Sequence, residues 1–133
     1  MLSRIKSLFF IIILLLTLNE ANASCINGQA NIITSGNFTV TQECSAIWIK
    51  GNGEKTITVN SGVTVNEVSG GKRPLTLHRG SITSSIINNG RLIESRDSQS
   101  VVLMGRNSLV ELFENNGTIE GTQGIRMVNR TGT

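Results

Sequence analysis

Histidine occurs once in these 133 residues, at His78, and aspartate once, at Asp97. Nucleophilic catalysis needs a nucleophile, a base and a group that orients the base. His78 lies in the alternating run Leu75-Thr76-Leu77-His78, on the Thr76 face, and so is expected as polar surface of a strand. No Gly-x-Ser-x-Gly turn is present to expose a serine. Glycoside hydrolysis needs two carboxylates a set distance apart, and calcium-assisted lyases need clustered acidic ligands. The glutamates are instead scattered along the chain, and only Glu94 and Glu120 fall near one another when the repeats described below are aligned. They are expected as two solvated edge charges. Two cysteines and one distant histidine lack the closely spaced ligand pairs of a zinc site. The chain is therefore expected to be no enzyme, with no catalytic, cofactor-binding or metal-binding residues and no cofactor.

Two other residue types carry chemistry. Asn116 stands in Glu114-Asn115-Asn116-Gly117-Thr118, an Asn-x-Thr acceptor with an acidic residue two positions before it. It is a possible glycosylation site, though a role for Asn116 in a turn explains it as well. Cys25 and Cys44 are the only cysteines, and their meaning depends on the compartment. Arg4 and Lys6 precede an apolar run from Leu8 to Leu18, and Ala21-Asn22-Ala23 follows with small residues at −3 and −1. This is the pattern of a secretory signal peptide, placing cleavage between Ala23 and Ser24. The run is far shorter than the roughly 20 apolar residues of a membrane span, and no later segment approaches that length. An oxidising destination makes a Cys25–Cys44 disulfide the expectation. Acylation of Cys25 is disfavoured, because Asn22 stands where a lipoprotein signal wants a branched aliphatic residue.

The whole chain's formal charge of +3 falls to +2 once Arg4, Lys6 and Glu20 leave with the signal. Nucleic-acid binding normally shows as a clustered basic stripe. Lys72-Arg73 and Arg79 are too sparse for one and read as a solvated turn, so nucleic acid is not an expected partner.

The elements that must carry these residues are short strands. Asn37–Val40, Lys55–Val59, Val63–Val65 and Val101–Leu103 are β-branched or aliphatic runs bounded by Gly, Asn and Ser. A polar-polar-Gly step precedes a strand four times, with glycines at 36, 62, 90 and 117, spaced 26, 28 and 27 residues. The best-matched units are IINNGRLIES and FENNGTIEGT, which set Leu92 opposite Ile119. Such a period suits a solenoid whose inward side chains stack from coil to coil. We expect an all-β chain, a right-handed parallel β-helix of about four coils of 26–28 residues with an open C-terminal end. Asn88 over Asn115 and Asn89 over Asn116 are expected to form amide ladders. A β-sandwich is the alternative. The chain divides into a signal peptide (1–23), an N-terminal cap and first coil with the disulfide (24–50), and further coils, truncated (51–133).

Asn-Asn-Gly followed by a strand, in INNGRLIE and ENNGTIEGTQGIRM, resembles the passenger domains of autotransporters, the type V secretion family of Gram-negative bacteria. The resemblance spans about residues 33–133 and agrees with the Sec-type signal. It implies a passenger delivered to the periplasm by the Sec machinery, then to the cell surface or medium if a translocator barrel is supplied. It further implies an adhesin-type role, with a host-surface protein or glycan as partner. At least eight strands of about 10 residues make a membrane barrel, which the length after the coils does not hold. The expectation is a truncated passenger, or one whose last coil stacks on further coils. A pilus-like sandwich subunit and a β-helix polysaccharide-active enzyme fragment are the alternative functions.

Overall fold

The computed structural model describes residues 25–128. The expected signal peptide and its Ala23–Ser24 junction lie outside that range.

Thirteen short strands follow one another without a helix among the described residues. They are β1 (Asn31–Ile33), β2 (Gly36–Val40), β3 (Cys44–Ser45), β4 (Ile47–Ile49), β5 (Lys55–Val59), β6 (Thr64–Asn66) and β7 (Leu75–Leu77). After them come β8 (Ile82–Asn88), β9 (Arg91–Ile93), β10 (Ser100–Met104), β11 (Leu109–Asn115), β12 (Thr118–Glu120) and β13 (Gln123–Met127). Every third strand joins the same sheet. The first sheet runs β1-β4-β7-β10-β13, the second β2-β5-β8-β11 and the third β3-β6-β9-β12. All strand pairs within them are parallel. This is a parallel β-solenoid; the sandwich alternative fails, since its hairpins would pair antiparallel. The expected four coils are four stacked strand levels, and the second and third sheets each step three times between them, which makes about three turns.

Period-2 alternation creates the core. In β5, Lys55, Ile57 and Val59 point inward and are buried, while Thr56 and Thr58 face out. The inward residues then stack by register. Ile47 lies on Leu75 and Leu75 on Val102 in the first sheet; Phe38, Ile57, Ile86 and Phe113 stack in the second. Cys44, Val65, Leu92 and Ile119 do so in the third. Burying each such aliphatic or aromatic side chain contributes roughly 1.5–3 kcal/mol, so the stacks hold the sheets together. Leu92 over Ile119 matches the sequence alignment.

The first repeat unit is corrected. Gly36 begins β2 in the second sheet, whereas Gly62, Gly90 and Gly117 precede strands of the third. Asn37–Val40 therefore pairs with Thr56–Val59, and Val63 to Val65 aligns instead with the Cys44 strand. The first level is short: Ile47 follows its partner Asn31 by 16 residues, whereas Leu75 follows Ile47 by 28. Gly90 and Gly117 take no positive φ and are there for space instead. A Cβ at Gly90 would lie 2.6 Å from Asn60 O, and one at Gly117 would overlap Gly90 O. The coils approach too closely at that corner for any side chain.

A buried cation finishes another corner. Lys55 is 1% exposed, and its ammonium donates to Gly51 O at 2.8 Å, Gly53 O at 2.6 Å and Ile82 O at 2.7 Å. Three carbonyls satisfy its three protons, tying the turn before β5 to the next level. On the last strand level, Ile125 and Met127 are 45% and 71% exposed on the inward register. Met127 lines a concavity together with Met104, Leu109, Phe113 and Val128.

Candidate functional site

Cys25 and Cys44 form a disulfide with Cα atoms 5.4 Å apart. Both are buried, so the bridge clamps the N-terminal segment onto the first level. Asn116 is exposed, and the amide nitrogen a glycan would occupy donates to Asn89 Oδ1 at 3.1 Å and Glu114 Oε1 at 2.6 Å.

Glu94 and Glu120 are not two solvated edge charges. The Glu94 carboxylate is fully buried and receives Arg96 Nε at 2.6 Å and Nη2 at 2.7 Å. Glu120 is exposed and pairs with Arg91 at 2.8 Å. Each carboxylate is thus taken up by its own arginine. Among the described residues, no three His, Cys, Asp or Glu side chains gather where they could hold a metal.

What the coils do assemble is a face on the first sheet. The outward residues align strand to strand as Ile32, Trp48, Thr76, Leu103 and Arg126. One step along lie Lys50 and His78, brought level where His78 N donates to Ile49 O at 2.9 Å. Trp48, the only tryptophan, is the centre of this face. Lys50 Nζ stands 5.4 Å from its ring centre and Lys72 Nζ 5.6 Å. The His78 ring centre is 5.2 Å away, tilted by 57°. Burial, then the Lys50 charge, lowers the His78 pKa below its ordinary value, so the neutral imidazole is favoured beside these ammoniums.

Lys72 is positioned from the next coil up. Val68 and Lys72 pair across Ser69-Gly70-Gly71, forming a small antiparallel loop off the solenoid. Gly70 and Gly71 take φ of 84° and 83°, which a turn this tight requires. Arg96 Nη2 then donates to Lys72 O at 3.2 Å, while its other nitrogen bonds are spent on Glu94. The buried Glu94 thus holds Arg96, and Arg96 holds the Lys72 backbone beside Trp48. Ser95 Oγ donates to Glu67 at the base of the same loop.

Lys72-Arg73 is therefore no solvated turn. Arg73 is half-buried; burial lowers its pKa against the pull of Glu94, and Arg126 and Arg96 lower it further. The cations that look sparse along the chain meet because one coil returns each of them to the same side. Sequence reasoning missed this face for want of the coil register; a basic residue within or beside every first-sheet strand from β4 onward was the available signal.

The chain matches no protein-family model, no curated protein and no solved structure. The likeness to autotransporter passengers accordingly rests on the coil motifs alone.

Proposed function

We propose that this chain is an exported, non-enzymatic β-solenoid segment of an autotransporter-like surface protein, acting as an adhesin. The observation that carries the reading is the outer face of the first sheet. It is a five-stranded parallel surface with its tryptophan flanked by lysines rather than by an acid–base pair. Solenoids bind through extended faces of this kind. The signal-like N-terminus and the Cys25–Cys44 bridge both suit a periplasmic folding step after Sec export. The exposed apolar side chains of the last strand level suit stacking on further coils.

The test is to express the chain with its own leader in a Gram-negative host and to recover it from the periplasm. Mass spectrometry should find an N-terminus at Ser24. The purified product should then bind cultured epithelial cells saturably. Cytoplasmic retention with an intact leader, or the absence of saturable cell binding, would overturn the reading.

A further inference from the structure

We infer that the outer face of the first sheet binds a linear acidic polysaccharide, one whose sugars carry sulfate or carboxylate groups. The inference rests on the adhesin reading and names the ligand class for it.

The charge distribution is the first ground. No strand of the first sheet contains an acidic residue. In or beside those strands lie Lys50, Lys72, Arg73, Arg79, Arg106 and Arg126. None of these six forms an ion pair among the described residues. The three described cations elsewhere are all engaged: Lys55 by three carbonyls, Arg91 by Glu120 and Arg96 by Glu94. One side of the molecule therefore collects the positive charge that has no internal partner. A net charge of only +3 hides it.

Shape and apolar surface are the second ground. Ile32, Trp48, Thr76 and Leu103 make a stripe across four adjacent strands, about 14 Å long at the usual strand spacing. Ile32 is 54% exposed. The C–H face of a pyranose can lie along such a stripe by dispersion contact, while its anionic substituents reach Lys50 on one margin and Lys72 on the other.

Other polyanions fit less well. Single-stranded nucleic acid uses several aromatic platforms for successive bases, and this face has one. An acidic peptide cannot add as a strand here, because β4, β7 and β10 are already paired on both sides. A membrane surface would want apolar side chains projecting at a tip, whereas Trp48 is half-buried in the middle of a sheet.

Trp48 is its own reporter. The full exported chain is titrated with chondroitin sulfate, with chemically desulfated and carboxyl-reduced chondroitin, and with neutral dextran, following tryptophan fluorescence. Chondroitin sulfate should shift the signal saturably, the other two should not, and raising NaCl to well above physiological strength should weaken binding by about tenfold or more. Lys50→Gln with Lys72→Gln should weaken it by about tenfold. Arg91→Gln, on the third sheet, should leave it unchanged, with circular dichroism confirming the fold of each variant. Equal loss in Arg91→Gln would mean attraction to net charge and would overturn the proposal, as would binding to phosphatidylserine vesicles in place of chondroitin sulfate. Cell binding that survives without any response to acidic polysaccharide sinks this ligand but leaves the adhesin reading standing. Loss of cell binding altogether sinks the adhesin reading itself.

Discussion

Asn88 Nδ2 donates to Asn115 Oδ1 at 2.7 Å, although 27 residues separate them along the chain. The two amides occupy the same position on successive levels of the second sheet. Asn88 also donates to Thr118 O at 3.3 Å and accepts from Gly90 N at 3.2 Å. A fully buried amide is thereby satisfied from the coil above and from its own turn.

Asn88→Ala should destabilise the protein by about 2–3 kcal/mol, since it leaves buried polar groups without partners. Asn115→Ala, on the exposed last level, should cost less. Urea denaturation of both variants checks the order; equal or negligible losses would show that the ladder contributes little.

The Cys25–Cys44 bridge closes a segment of 19 residues of sequence separation. In the chain-entropy model this stabilises by about 3 kcal/mol. Replacing both cysteines with serine should lower the unfolding free energy by that order. It should also expose the first level to proteolysis before the later ones, as timed digestion and N-terminal sequencing would reveal. Uniform cleavage along the solenoid would contradict a cap tied down by the bridge.

Glu94→Gln removes the charge that holds Arg96 while keeping the side chain's size. Stability should fall by about 1–3 kcal/mol. Because Arg96 anchors Lys72 O, the Trp48 emission should also change, even though Glu94 belongs to the loop after β9 and not to the tryptophan's own level. A stability loss with unaltered emission would break the proposed chain of contacts from Glu94 to Trp48.

His78 is lowered from its ordinary 6.5 by burial first and by Lys50 second. The unfolded chain therefore takes up its proton before the folded one as pH falls. Stability from this residue should decline as pH drops through 6.5 towards the folded pKa and level off below it. His78→Gln should lose less stability than the native chain between about pH 7.5 and about pH 5. Guanidinium midpoints at the two pH values give the comparison, and identical losses would remove His78 as the cause.

Much of the architecture was legible in the residues. Alternating β-branched runs between Gly and Asn turns, recurring every 27 residues or so, require stacked short strands, because each coil can bury its apolar face only against the next. The equivalence of Asn88-Asn89-Gly90 with Asn115-Asn116-Gly117 was readable for the same reason, as both must occupy one close-packed corner. The pairing of Cys25 with Cys44 also followed from there being only two cysteines. Gly36 misled because polar-polar-Gly marks any tight turn, and composition does not say which of the three corners a turn belongs to.

The sheet to which each strand belongs, and hence which charges face the same way, was decided only by the tertiary structure. Lys72 and Arg126 are far from the Trp48-Ile49-Lys50 run in sequence and share no motif with it. They share one face, with Lys72 beside Trp48 and Arg126 three strands away, because successive coils differ in loop length while their strands keep parallel register. Glu94 reads as a surface charge for the same reason: its burial depends on Arg96 folding back across it and on the neighbouring coil closing over both. Local side-chain alternation sets the strands; the lengths of the turns between them set the faces.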